Sequence, residues 1–281
     1  MRRADQTGGR VTDTKRRILF LHDPKLLDPG ELEAVRDHTS WAVGESVLDV
    51  RAGDLVIARH TVWPWPRRVA RDIARQGGEL LNGTSAYVYA DTPVSWSYDL
   101  GDLTPRTWTD FSRLPAAAAF IVKGAKADKS RWDRMFARNA YAARELMAEL
   151  ARETASRGEE LVAREYVPLE RLGGTPGGCP VCTEFRIFIA DGEVLAAGFY
   201  WDPADCERAP PPPEEIPPEF VRAALDRLEE NGCPLRYYAL DVARKADGGW
   251  MVVEVNDGQR SGLSTVDPVA LYGRLATVLG R

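Results

Sequence analysis

Cysteine and histidine are scarce in this chain, at four and three of 281 residues. Four cysteines are too few for a disulfide scaffold. The histidines, His22, His38 and His60, are too scattered to show a histidine-based triad. Long apolar runs are missing as well. No stretch approaches the ~18 consecutive apolar residues of a membrane-spanning helix. The polar start MRRADQTGGR lacks the apolar core of a secretion signal. Residues 1–15 therefore read as a flexible tail, and the protein as cytoplasmic with no membrane partner. A basic excess is also missing: 37 Lys and Arg face 42 Asp and Glu, for a net charge of −5. A phosphate-backbone binder needs the opposite balance, so nucleic acid is not an expected partner. A single small basic site for a nucleotide remains open. What is present is a core: 44% hydrophobic and 28% charged residues, enough for one large or two small domains.

Three stretches differ in pattern. Over 16–114, apolar strands at 17–22, 54–59 and 79–82 alternate with helices at about 29–38 and after Pro66. That alternation predicts βαβ units and a mostly parallel sheet. Over 115–168, the strand Ala119–Gly124 ends in Lys123. A long amphipathic helix is expected from about Trp132 to Thr154, then a strand over 161–167. Over 169–281, two hairpins are expected. One folds 183–189 against 193–198 about Asp191-Gly192. The other folds 236–242 against 250–256 about Asp247-Gly248. Helices over 218–231 and 267–279 complete the outline, and Pro210–Pro213 marks a stiff loop.

The chemistry concentrates in the second half. Side chains alternate along a strand, so Glu254 and Asn256 share a face. The Asp-Gly turn brings Asp241 to the same place. Three oxygen-bearing side chains then suit magnesium, which is usually shared with nucleotide phosphates. The plainer alternative is the polar end of an ordinary hairpin. Lys123, at a strand end before Gly124 and near Lys126 and Lys129, can meet a phosphate as a point charge. The alternative is a solvated basic loop. Arg186, two residues after Glu184 on an apolar strand, is either half of a buried ion pair or a phosphate clamp. Cys179-Pro180-Val181-Cys182 has the spacing of a zinc knuckle, which Cys206 and Cys233 could complete. A redox pair and plain thiols are the alternatives. Arg59-His60 follows a strand where α/β folds often bind ligands, here a carboxylate substrate or nothing. Trp63, Trp65, Trp96 and Trp108 read as packing residues.

In sequence order these segments resemble the ATP-grasp superfamily of ATP-dependent ligases. The matching segments are Phe120–Lys123, Val162–Val167, Glu184–Phe188, Asp241-Val242 and Val253–Asn256. An acid-x-Arg strand and a Glu-x-Asn strand are similar to the ribosomal-protein S6 modification and glutathione synthetase branch. Leu103–Thr107 and Asn256–Leu263 are similar to segments of uncharacterised bacterial and phage members. The resemblance spans about residue 17 to the C-terminus. It implies an α/β and α+β chain: a parallel-sheet pre-ATP-grasp domain over 16–114, then an ATP-grasp domain over 115–281 with lobes at 115–168 and 169–281.

The same resemblance implies roles by position. Lys123, with Lys126 or Lys129 from a closing loop, would bind phosphate. Backbone groups of Glu165, Tyr166 and Val167 would meet the adenine edge, and Glu184 the ribose. Arg186 would stand beside the γ-phosphate, with Lys123 and Arg186 serving catalysis. Asp241, Glu254 and Asn256 would hold two magnesium ions. The stretch Leu172–Gly178 is longer than the resemblance implies. The activity implied is carboxylate–amine ligation through an acyl phosphate, with ATP as substrate, release of ADP, and a small or peptide carboxylate and an amine as partners. The rivals are an ADP-forming kinase, a nucleotide-binding module without turnover, and a zinc-dependent nucleic-acid binder. The net charge disfavours the last.

Overall fold

The computed structural model of the protein describes residues 16–61, 66–124, 129–154, 160–174 and 178–281, with residues 129–131 and 154 in backbone only. The predicted tail over 1–15, Trp63 and Trp65 lie outside the described residues. The chain begins β1 (Ile18–His22), α1 (Glu31–His38), β2 (Ala42–Gly44), β3 (Leu55–Arg59), α2 (Pro66–Arg75) and β4 (Glu79–Leu80). The four strands form a parallel sheet in the order β2-β1-β3-β4. Every residue of β1 and β3 is buried, as expected of strands covered on both faces. His22 lies opposite Arg59, so the polar ends of both strands meet at the C-terminal edge of the sheet.

Two short helices follow that the sequence reading lacks, α3 (Thr84–Asp91) and α4 (Pro93–Leu100). Next come β5 (Thr107–Trp108), β6 (Phe120–Lys123), β7 (Phe136–Ala137), α5 (Ala140–Thr154) and β8 (Val162–Glu165). These strands form an antiparallel sheet in the order β5-β8-β6-β7, with α5 packed on it. The helix expected from Trp132 is thus corrected: it starts eight residues later, at Ala140. Trp132, Met135 and Phe136 have helical spacing but other duties. The Val122 amide donates to the Met135 carbonyl at 2.7 Å, which ties that segment to the edge of β6. Asn139 then accepts from the Ala142 amide at 2.9 Å, which sets the helix start.

The remainder is β9 (Arg171–Gly174), β10 (Pro180–Cys182), β11 (Glu184–Ala190), β12 (Glu193–Phe199), α6 (Pro218–Glu230), β13 (Tyr237–Arg244), β14 (Trp250–Asp257) and α7 (Pro268–Leu279). β9 and β10 pair as a small hairpin in the stretch that is long for the resemblance. The large sheet is antiparallel, in the order β12-β11-β13-β14. Its Asp191-Gly192 and Asp247-Gly248 turns fall where predicted, with positive φ at Asp191, Gly192 and Gly248.

The two faces of the large sheet are used differently. Phe185, Ile187, Leu240, Val242 and Val252 pack against Ala86, Trp96, Leu100, Ala224 and Leu228 of α3, α4 and α6. Ala86, Ala90, Trp96 and Leu100 therefore belong to this core, whereas Tyr87 of α3 packs with Leu19, Leu21 and Ile73 beside the parallel sheet. On the other face, Phe188, Ala190, Tyr237 and Ala239 pack against Phe20 and Ile57 of the parallel sheet and Tyr272 of α7. The same face continues as Arg186, Asp241, Glu254 and Asn256, which the period-2 alternation keeps on one side. That polar half is not covered by the parallel sheet. It is the floor of a cleft.

Candidate active site

The cleft encloses about 570 Å³ between the two antiparallel sheets. Its walls come from β6 and β8 on one side and from β11 and β14 on the other. Lys123, Glu165, Tyr166, Val167, Glu184, Arg186, Glu254 and Asn256 all line it.

At its centre, Asp241 is fully buried and lies opposite both Arg186 and Glu254 in the sheet. Arg186 donates Nε and Nη2 to the two Asp241 carboxylate oxygens, both at 2.8 Å. Such a fork-on-carboxylate pair is the strong form of ion pair. Burial disfavours the Arg186 charge, yet Asp241 outweighs it and raises the guanidinium pKa. Arg186 also gives Nη1 to the Gly262 carbonyl at 2.7 Å and lies 4.9 Å over the Tyr200 ring. Its acidic partner is therefore Asp241 across the sheet, not Glu184 on its own strand. Asn256 Nδ2 reaches Asp241 Oδ2 at 3.2 Å. From the opposite wall, Lys123 Nζ donates to the Glu254 carboxylate. The carboxylates and amide expected to meet do meet. Glu254 and Asn256 face the cleft, and Asp241 stands behind them.

One end of the cleft is apolar and aromatic. Ile121, Val167, Leu169, Pro180 and Met251 line it. Tyr166 stands edge-on to Phe136 with ring centres 5.0 Å apart, and Phe136 stacks with Trp132 at 5.8 Å. The amides of Glu165 and Tyr166 donate to the Arg106 and Ala119 carbonyls, both at 2.8 Å, which fixes the path of this segment.

Arg164 is a cleft residue that sequence reasoning passed over. It is buried on β8, beneath the cleft, and its guanidinium lies 4.7 Å over Trp96. It donates to the Val253 carbonyl on β14 and, at 2.7 Å, to Thr104 Oγ1. Thr104 in turn donates to the Val252 carbonyl at 2.8 Å. β14 is the edge of its sheet, and these bonds occupy carbonyls that an edge leaves open. They also pin the two antiparallel sheets together. Burial pulls the Arg164 pKa down to about 10, against the opposing pull of Glu254. The signal was an arginine inside an apolar strand, the same cue that drew attention to Arg186.

Beyond Asn256 the chain turns away from the large sheet. Asp257 Oδ1 accepts from Asn82 Nδ2 at 2.7 Å and from the Gln259 amide at 3.0 Å. Gln259 Oε1 takes the Ala58 amide at 3.0 Å, and its carbonyl takes the His60 amide at 2.9 Å. The Leu263 amide donates to Asp28 at 2.7 Å. The loop after β14 is thereby fastened to the end of the parallel sheet.

Other expected site residues fall elsewhere. Lys126 lies outside the described residues. Lys129 begins a short 3-10 turn over Lys129–Arg134 and is described in backbone only. Arg59 is fully buried and held by Glu31, with Asp28 at 3.4 Å and the Gln259 carbonyl at 3.3 Å, so it is not a cleft ligand. Burial first, then Arg59, holds the His60 imidazole down to about 4. Cys179 and Cys182 are buried thiols of the small hairpin and line the cleft. Among the described residues, the group of acids, histidines and cysteines within ligand range of one another is Asp28, Glu31 and His60, and the Arg59 guanidinium sits on both of its carboxylates. Trp96 and Trp108 are packing residues, Trp96 in the large core and Trp108 edge-on to Phe120. Among the described residues no helix is long and apolar enough to cross a membrane.

A nucleotide-sized cleft between two antiparallel sheets, behind a parallel-sheet region, defines an ATP-grasp fold. The chain belongs to the ATP-grasp domain, R2K clade family 3, which matches residues 100–275. Solved structures share the fold across the whole length. D-cycloserine synthetase DcsG superposes with a TM-score of 0.62 at 19% identity, over 93% of this chain and 99% of that one. The ATP-grasp ligase PsnB, complexed with a minimal precursor, gives 0.54 at 16%, over 94% and 98%. The macrocyclase MdnC from Microcystis aeruginosa MRC, bound with precursor peptide MdnA, gives 0.54 at 13%, over 94% and 99%. No curated protein matches the sequence.

Proposed function

We propose that the protein is an ATP-dependent carboxylate–amine ligase that works through an acyl phosphate and releases ADP and phosphate. The observation that carries this reading is the meeting of Lys123, Arg186, Asp241, Glu254 and Asn256, from four strands of two sheets, in one cleft. A surface hairpin would not bury Asp241 or fork it onto an arginine.

The parts divide along the cleft. The apolar end with Tyr166, Val167 and Met251 takes the nucleobase, and Glu184 faces the ribose. Lys123 and Arg186 meet the phosphates as positive charges. Lys126 and Lys129 stay candidates for the closing loop. Glu254 and Asn256 offer hard oxygen atoms, with Asp241 behind them, a donor set that fits magnesium. When bound, magnesium would offset phosphate charge. PsnB has been solved with magnesium and ADP, which supports this assignment.

In the first step a carboxylate oxygen attacks the γ-phosphorus, the bond to the β–γ bridging oxygen breaks, and ADP leaves. The amine then attacks the acyl carbon, phosphate leaves, and the amine loses a proton. Phosphoryl transfer of this kind is mainly alignment and charge neutralisation. Lys123 and Arg186 supply fixed charge, and substrates filling the cleft would keep water from the acyl phosphate. The test is a screen of carboxylates with Mg-ATP in the presence of hydroxylamine. ADP and a hydroxamate are expected. AMP and pyrophosphate would overturn the mechanism.

A further inference from the structure

The end of the cleft away from the nucleobase has its own chemistry. β14 runs along the floor from Met251 to Asp257, six residue steps and so ~20 Å at the usual strand rise. With the base over Met251 and the phosphates over Glu254, the far end lies past the phosphates. There Arg260 pairs with Asp91 of α3 at 2.6 Å, its guanidinium lying 4.7 Å over the Tyr87 ring. Both side chains of the pair are partly open, at 22% and 24% exposure, and both residues line the cleft. Beside them Asp257 also lines the cleft and is almost fully buried. Its Oδ1 is taken by Asn82 and Gln259, and its Oδ2, without a hydrogen-bond partner among the described residues, is sealed from solvent, so it supports this end of the cleft from behind.

A fixed cation and one open carboxylate thus meet at one small place. A ligand carrying only a carboxylate would meet Asp91 beside Arg260. A ligand carrying only an ammonium would meet Arg260. Neighbouring charges of the wrong sign reject such ligands. A ligand with a carboxylate and an ammonium on one carbon gives every charge a partner. We propose that this end of the cleft binds a free α-amino acid, with its carboxylate on Arg260 and its ammonium on Asp91. Resting on the nucleotide reading above, this names the class of the second substrate.

The test separates the two readings. Full-length protein is first titrated with Mg-AMPPNP, and binding is read as a rise in melting temperature. No rise would count against the nucleotide reading alone. Independently, free L- and D-amino acids, their N-acetyl derivatives and their amides are scored for binding by saturation-transfer NMR, with and without Mg-AMPPNP. Binding of at least one free amino acid is expected, with both blocked derivatives bound at least tenfold more weakly. Arg260→Met and Asp91→Asn should each weaken that amino acid by about tenfold to a hundredfold, the weight of a charge-assisted hydrogen bond. Each should leave Mg-AMPPNP affinity within about twofold, which also shows that the variants fold. Blocked derivatives that bind as well as free ones, variants that keep wild-type affinity, or a panel without a binder would each overturn the proposal.

Discussion

Lys123 and Glu254, 131 residues apart in sequence, hold each other across the cleft from opposite sheets. Each is the other's counter-charge while no phosphate or cation is present. A nucleotide with its magnesium would supply a better partner to both at once. Glu254→Gln keeps the shape and removes the charge. It should lower stability by about 1–3 kcal/mol, because the nearly buried Lys123 loses its charged partner, and abolish magnesium-dependent tightening of AMPPNP. The check is AMPPNP binding titrated with magnesium. Magnesium dependence like that of the wild type would mean the metal site is misplaced.

The Arg186–Asp241 pair is buried, so removing one member should cost more than removing both. Asp241→Ala strands a guanidinium and should lower stability by about 3–5 kcal/mol. The double variant Arg186→Met, Asp241→Leu should regain most of that loss and show no turnover. Urea denaturation of the three proteins measures it. Equal losses in the single and double variants would refute the pairing.

Asn82 follows β4 and uses both ends of its amide. It bonds the Arg236 and Tyr237 amides, the Tyr237 carbonyl and Asp257. Asn82→Ala leaves these buried groups unpaired and should cost on the order of 3 kcal/mol. The melting temperature should fall accordingly, and acceptor binding should weaken, because Asp257, whose carbonyl takes the Arg260 amide, loses its tie to Asn82.

His60 gives a pH signature. Its folded pKa lies near 4, below the usual 6.5, chiefly through burial and then Arg59, with Asp28 and Glu31 pulling the other way and Arg260 adding to Arg59. Between pH 6.5 and 4 the unfolded chain takes up a proton at this residue and the folded chain does not. Stability therefore falls as pH drops through that window and is unaffected by His60 above it. His60→Asn, chosen because asparagine tolerates the φ of 59° at this position, should remove that part of the slope. Melting curves of both proteins from pH 8 to 4 would decide it. Parallel curves would contradict a buried neutral imidazole.

The strands were legible where the pattern was local. β1, β3 and the four strands of the large sheet showed as apolar runs, and their Asp-Gly turns placed Asp241 opposite Glu254. α3 and α4 were not legible, because Tyr87, Ala90 and Trp96 bury against different neighbours and leave no single apolar stripe. The helix expected at Trp132 failed because Phe136 and Met135 serve a strand edge and an aromatic cluster. Within the site, Lys123, Glu254 and Asn256 were legible as polar residues toward the ends of apolar strands, and Arg186 as an arginine inside one. Arg164, Asn82 and Arg260 were not. A lone polar residue has no period, and its partners at Val253, Tyr237 and Asp91 are set only by the tertiary fold.

The loop after β14 hangs from the parallel sheet through Gln259 and Leu263, whereas the apolar end of the cleft is lined by β6, β14, the small hairpin and the segment after β8. On the proposed reading, acceptor choice and ATP affinity are therefore separately adjustable. Substitutions at Asp28 or around Ala58, remote in sequence from the cleft, should retune which acceptor is taken and leave the Kd for nucleotide where it was. Selecting for a new acceptor in this scaffold would begin in the first sixty residues.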